Sequence, residues 1–227
     1  MVNMNNETQQ FNYAHNDTSV PERVSRTAAL NRLVVSDGVA RLRAEARKSE
    51  VPVANDETLN FLLTLALAKN AQSVLEIGSA WGLTSLALLE SLPQARLVAI
   101  ERDESFYNRA KQNLNGHSSR CELRLGDAAE VLATLPDEGY DFIFLDCAKV
   151  QYVKLLPQLI KVLKKGGILL ADDVLLYGWV NGEVPVPKKR RMLVEHIREY
   201  IAAVTNDDRL STSVLDVGDG LALTVKK

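Results

Sequence analysis

The chain has 227 residues, 46% hydrophobic and 25% charged, a balance that supports a sizeable core and excludes wholesale disorder. Lysine plus arginine number 27 against 29 acids, a net charge of −2, so any nucleic-acid interface must come from a local patch. No apolar run approaches the roughly 18 residues of a membrane span, and Cys121 and Cys147 make neither a disulfide framework nor a zinc site.

The polar start, Met1 to Gln10, lacks the pattern of a signal peptide, so the expected setting is the cytoplasm with reduced thiols. Residues 1–20, rich in Asn, Gln and Thr, read as a flexible arm, and 21–227 as a single domain. Residues 24–48 carry a helical pattern that Pro52 ends. Asp56 then reads as the N-cap of a helix containing Leu59, Leu62, Leu63 and Leu67. A regular alternation follows. Strand-like runs cover Ser73–Ile77, 96–100, 122–125, Tyr140–Leu145 and 167–171, and helical patterns cover 84–91, 105–114, 128–135 and 152–163. This spacing predicts an α/β fold: a doubly wound, mostly parallel sheet behind extra N-terminal helices. The last third differs. A basic helix over 188–204 leads to apolar runs at 211–217 and 221–225, joined by Gly218-Asp219-Gly220, so the sheet is expected to end in an antiparallel hairpin.

In such sheets ligands bind beyond the carboxyl ends of the strands. The first strand runs into Gly78-Ser79-Ala80-Trp81-Gly82, where the two glycines allow a tight turn and close backbone approach. The dinucleotide pattern G-x-G-x-x-G is absent. Glu76 at this strand end would repel a pyrophosphate but attract an ammonium or sulfonium. S-adenosylmethionine has both cations and no phosphate. Glu101, ending the second strand, can accept hydrogen bonds from both ribose hydroxyls, and Gly126-Asp127-Ala128, ending the third, falls where adenine would lie. Glu76, Glu101 and Asp127 could singly be helix-capping acids. Their occurrence at successive strand ends, with the glycine loop, favours S-adenosylmethionine.

The fourth strand runs into Asp146 and the fifth into Asp172-Asp173. Carboxylates gathered there would repel one another and resist burial. A hard divalent cation, Mg²⁺ by default, removes that cost. The alternative is that Asp172 and Asp173 cap a turn while Asp146 pairs with Lys149.

The loop Glu76-Ile77-Gly78, the stretch Leu145-Asp146-Cys147-Ala148-Lys149 and the segment from Gly166-Gly167 through Ala171-Asp172-Asp173-Val174-Leu175 resemble the cation-dependent O-methyltransferases, which include catechol and caffeoyl-CoA O-methyltransferases. The resemblance covers roughly residues 40–227. It implies a seven-stranded Rossmann-like fold, a homodimer, S-adenosylmethionine and Mg²⁺. It also implies that Asp146, Asp172 and Asp173 ligate the metal, with Asp146 touching the cofactor as well and Lys149 beside the acceptor oxygen. Thr84 falls where the family holds the methionine carboxylate, Glu101 holds the ribose, and Asp127 with Ala128 borders the adenine. Ala54 would border the cofactor from the N-terminal helices. One departure stands out: the family usually has Asn where this chain has Asp173. Three aspartates around a divalent cation leave a formal −1, which should tighten its binding but acidify a bound hydroxyl less.

Further features, Val51-Pro52-Val53, Pro187-Lys188-Lys189-Arg190-Arg191, Val194, Ile197, Tyr200 and Val217 through Ala222, look like the bacterial tRNA 5-hydroxyuridine methyltransferases, which make 5-methoxyuridine in the anticodon loop. Four cations leading a helix oppose its dipole, and a phosphate-bearing substrate would offset that cost. A solvated face is the plainer reading of such a run. The alternative acceptor is a small catechol or a hydroxycinnamoyl-CoA, whose coenzyme phosphates could use the same cluster. The stretch 174–187 is short for the insertion loop of plant-type enzymes. A non-catalytic cofactor-binding module would need neither Lys149 nor the acids. Cys147 reads as a buried small residue, Cys121 as a strand start, and His15, His117 and His196 as surface or capping residues. Trp81 could pack beside the cofactor, and Tyr177 and Trp179 could stack on a base or anchor their loop.

Overall fold

The computed structural model describes Ser25 and residues 28–227. The proposed arm over residues 1–20, including His15, and the first residues of the domain at 21–24 lie outside that range. Ahead of the sheet stand α1 (Asp37–Lys48) and α2 (Asp56–Lys69). The pattern over 24–48 gives only one α-helix, because Ser36 accepts a hydrogen bond from Val39 N and starts it there; Ala28–Leu30 form a separate 3₁₀ turn. The cap of α2 is Asn55, one residue before the expected Asp56, and its side chain takes the Thr58 N–H at 2.9 Å. Asp56 is the first helical residue instead, paired with Arg43 and Arg47.

The alternating part follows as β1 (Ser73–Ile77), α3 (Leu83–Ser91), β2 (Arg96–Glu101), α4 (Glu104–Asn113), β3 (Cys121–Leu125), α5 (Ala128–Leu132), β4 (Tyr140–Leu145), α6 (Tyr152–Val162) and β5 (Leu163–Ala171). The last elements are α7 (Arg191–Thr205), β6 (Leu210–Leu215) and β7 (Leu221–Lys226). The seven strands lie in the order β3-β2-β1-β4-β5-β7-β6, with β7 antiparallel to both neighbours. The expected fold class is thus observed. The expected tight hairpin is looser: residues 216–220 bridge the strands and fold back over the loop after β5, Gly220 O accepting from Val174 N and Asp219 O from Leu175 N, each at 2.9 Å.

Pleat alternation splits the core between two faces. Leu75, Ile77, Ile143 and Leu145 pack with α6 and α7 residues such as Leu155, Leu159 and Ile197. Val74, Phe142 and Phe144 pack on the other face with Leu42, Leu59, Leu62 and Leu88. Both faces of the central strands are therefore buried, which accounts for the apolar runs Phe142–Leu145 and Ile168–Ala171. No helix among the described residues is long and apolar enough to cross a membrane.

Register aligns the strand ends. Ile77 pairs with Ile100 and Leu145, and Leu145 with Ala171. The ladder continues one step past the strands: Gly78 N donates to Ile100 O at 2.9 Å, Asp146 N to Ile77 O at 2.9 Å, and Asp172 N to Leu145 O at 3.0 Å. Residues far apart in sequence are thereby fixed side by side along one edge.

Candidate active site

That edge opens into a cavity of about 390 Å³. Its glycine loop leaves β1 at Gly78, where φ is +94°, and a Cβ at this position would overlap the carbonyl oxygen of Asp146. Glu101 ties the loop to β2. Its carboxylate accepts the Ala80 N–H on one oxygen and those of Arg102 and Asp103 on the other, each at 2.8 Å. Burial raises its pKa, and these three backbone donors oppose the shift. Asp127 accepts from Ala129 N at 2.9 Å and caps α5, so the capping reading holds for it, yet it also lines the cavity. Ala54, Gly78, Thr84, Glu101, Ala128 and Asp146 line it too.

Glu76 is the exception. It is buried beneath the wall, outside the lining, and accepts a hydrogen bond from the Ser85 hydroxyl. Burial, reinforced by Asp146 and Glu101 and opposed by Ser85, pushes its pKa up to about 8. Glu76 lies outside the cavity, so it does not face the place where a sulfonium would sit.

At the other end of the cavity Asp146 lines the wall, and Asp172 and Asp173, buried and outside the lining, offer oxygens that lie within 4.8 Å of its own and of each other. Lys149, 3% exposed, reaches Asp146 at 2.9 Å, Asp173 at 3.1 Å and the Tyr152 hydroxyl at 3.0 Å. The Tyr152 hydroxyl lies 2.9 Å from Leu145 O and 3.1 Å from Asp172 O, so it bridges both strand ends. Burial works against a charged Lys149, but Asp146 and Asp173 outweigh it and hold the ammonium protonated. Burial, then Asp173 and Asp146, raises the Asp172 pKa well above the usual carboxylate range. Asp146 does pair with Lys149, as one reading of the sequence has it. One ammonium still faces three carboxylates, and this surplus of hard oxygen donors fits Mg²⁺. A turn does follow at 176–182, but the N–H groups of residues 174 and 175 bond to the 216–220 turn, and Asp172 Oδ1 accepts from the Asp173 N–H and the Thr58 hydroxyl.

The basic quartet divides. Lys188–Arg190 form a 3₁₀ turn and Arg191 opens α7. Lys189 and Arg190 line the cavity beside Leu193; Lys188 and Arg191 are exposed and lie outside the lining. Trp179 is 2% exposed and packs on Tyr177 with ring centroids 4.8 Å apart, so it anchors its loop. Trp81 lines the cavity while Arg109 stacks over its ring. His117 contacts Arg120 and His196 contacts Glu199, the surface roles expected. Cys121 and Cys147 are free thiols whose pKa values burial pushes up to about 12. Sequence reasoning missed three residues. The Ser79 hydroxyl is buried at the cavity wall without a partner among the described residues. Tyr152 was readable only as a helix start, although its spacing from Lys149 is a contact spacing. Thr58, whose hydroxyl meets Asp172, carried no sequence signal.

The O-methyltransferase family model matches residues 27–227. The chain belongs to this family of O-methyltransferases. Tapetum-specific methyltransferase 1 of Arabidopsis thaliana is 31% identical over 191 residues, 81% of this chain and 82% of its own. The caffeoyl-CoA O-methyltransferase of Populus kitakamiensis is 31% identical over 76% of each chain, and the catechol O-methyltransferase of Niastella koreensis 28% identical over 81% and 86%. Among solved structures, a caffeoyl-CoA O-methyltransferase candidate from Staphylococcus aureus superposes with a TM-score of 0.77 at 30% identity, covering 88% of this chain and 95% of its own. The chain is accordingly an S-adenosylmethionine-dependent O-methyltransferase of the caffeoyl-CoA and catechol type.

Proposed function

We propose that the enzyme methylates one hydroxyl of a small vicinal dihydroxy aromatic acceptor that carries an anionic group, and that it does so with Mg²⁺. The observation that carries this reading is the single cavity joining the Glu101 and Asp127 end to the Asp146 and Lys149 end, with Lys189 and Arg190 on its wall. The Populus caffeoyl-CoA and Niastella catechol enzymes support the acceptor class. Two structures sharing the fold, TomG of Streptomyces achromogenes with S-adenosylmethionine and a Bacillus cereus O-methyltransferase with S-adenosylhomocysteine, support the donor.

In this reading Glu101 accepts the ribose hydroxyls, Asp127 and Ala128 border the adenine, and Thr84 meets the methionine carboxylate. S-adenosylmethionine supplies the methyl group from its sulfonium. Asp146, Asp172 and Asp173 hold Mg²⁺, which supplies Lewis acidity toward the acceptor hydroxyl. Lys149, held charged by its acidic neighbours, exchanges one of its three hydrogen bonds for one to the acceptor oxygen as negative charge builds there. The hydroxyl proton passes to water at the cavity mouth, the oxygen–methyl bond forms and the carbon–sulfur bond breaks, leaving S-adenosylhomocysteine. Val150 and Leu193 offer apolar surface to the ring. Lys189 and Arg190 take the anionic group, which for an acyl-CoA is a coenzyme phosphate. The family resemblance adds a homodimer, which light scattering on the purified protein measures.

A second reading, hydroxyuridine in a tRNA anticodon loop, is favoured by one observation. Lys188 and Arg191 are exposed beside the two cavity cations, so four cations stand in a row. Labelled S-adenosylmethionine offered with catechol, caffeoyl-CoA or hydroxyuridine-containing tRNA separates the two. Transfer to the small acceptors, with Lys189→Ala/Arg190→Ala raising KM for caffeoyl-CoA but not for catechol, is the expected result. Transfer to tRNA alone would overturn the small-molecule reading.

A further inference from the structure

Thr58 lies in the first turn of α2 and is completely buried. Its hydroxyl donates to Asp172 Oδ1 at 3.3 Å, and the backbone N–H of Asp173 donates to the same oxygen at 2.8 Å. Two donors from different parts of the chain therefore converge on one carboxylate oxygen. The hydroxyl is itself confined. Gly218, in the turn between β6 and β7, sits so close that an added Cβ would come within 2.5 Å of Thr58 Oγ1 and nearer still to Asn55 Nδ2. The Asn55 cap on Thr58 N holds the backbone of the same turn. Thr58 lines no part of the cavity, so it reaches the chemistry only through Asp172.

We propose that Thr58 is a positioning residue: its hydroxyl locks the Asp172 side chain so that one defined oxygen joins Asp146 and Asp173 around the cation. The proposal rests on the reading that these three aspartates hold a divalent cation. A carboxylate free to rotate would have to be ordered each time a cation binds, and the hydroxyl removes that cost beforehand.

The test uses the full chain and three variants. Thr58→Val keeps the shape and removes the hydroxyl, Thr58→Ser keeps the hydroxyl and removes the methyl, and Thr58→Ala, which suits a helix, serves if valine does not fold. Titration calorimetry with Mg²⁺ alone, without acceptor, reads the effect directly. Thr58→Val and Thr58→Ala should weaken Mg²⁺ binding about three- to tenfold, the range for one ordinary hydrogen bond, since the contact is long at 3.3 Å. Thr58→Ser should stay within about twofold, since the hydrogen bond survives. Affinity for S-adenosylhomocysteine should be unchanged in all three. Wild-type Mg²⁺ affinity in Thr58→Val, or an equal loss in Thr58→Ser, would overturn the proposal, because packing rather than the hydroxyl would then matter. A wild-type chain that takes up no Mg²⁺ would overturn the cation reading along with it.

Discussion

Gly78→Ala is the sharpest test of how the strand ends assemble. Two costs add. An L-residue at the φ of +94° found here is strained, by about 1–2 kcal/mol. The new Cβ would also overlap the Asp146 carbonyl oxygen, 2.8 Å from its carbon and 3.1 Å from Cys147 Cα, all of them backbone and unable to swing aside. Such overpacking costs a further 1–3 kcal/mol or so. The sum, about 2–5 kcal/mol, corresponds to a melting point lowered by roughly 5–15 °C in a domain of this size. Gly166→Ala isolates the first cost: φ there is +69° but nothing lies within 4 Å of the added carbon. Urea unfolding of both variants gives the difference, and calorimetry with S-adenosylhomocysteine reports whether displacing Asp146 distorts the donor site. Equal destabilisation by the two alanines, or wild-type binding by Gly78→Ala, would refute the argued contact.

Asp146→Ala should abolish transfer, because Asp146 both lines the cavity and pairs with Lys149; EDTA should stop the wild-type enzyme and Mg²⁺ restore it, whereas full turnover in chelator would remove the cation from the account. Asp173→Asn should retain transfer with weaker Mg²⁺ affinity, since one negative charge leaves the cluster, and the ratio of Mg²⁺ dissociation constants from titration checks it. Glu76→Gln should flatten the pH dependence of stability. The folded-state pKa of Glu76 is raised from 4.5 to about 8, so the folded chain keeps a proton that the unfolded chain releases. Its contribution is fully present below 4.5 and lost as pH rises toward 8, by at most about 1.4 kcal/mol per pH unit. Urea midpoints between pH 5 and 8 that run parallel in wild type and variant would show that this proton is not there.

What the sequence disclosed about the site follows from where each acid stands relative to its strand. Asp146 and Asp172 come directly after β4 and β5, beyond the last apolar side chain; Asp146 reaches the cleft, and Asp172 stays buried with a carboxylate oxygen close to those of Asp146 and Asp173. Glu76 is the penultimate residue of β1 and pairs across to Phe144. The pleat therefore sends it to the face where Ser85 of α3 waits, although its chemistry resembles that of the others. Helix starts are legible to within a residue at α4 and α5, where Asp103 and Asp127 cap, and at Asn55-Asp56, where either could cap. The start of α1 is not, because the helical pattern begins at 24, well ahead of the Ser36 cap. The Thr58 contact with Asp172 spans 114 positions and depends on a glycine in a third segment, so no local pattern encodes it.

The placement of β7 between β5 and β6 has a consequence for biosynthesis. β5 is made well before the strand that closes its free side, because β6 and α7 intervene in the chain. Until Leu221–Lys226 emerges, the nascent sheet presents Ile168, Leu169, Leu170 and Ala171 as an open edge, with backbone donors and acceptors facing outward beside apolar side chains. That is the geometry through which growing chains stick to one another. Lys164 and Lys165, followed by Gly166 and Gly167, stand at the start of the same strand. Their charge and their poor β-propensity guard one end of that edge while the ribosome is still at work.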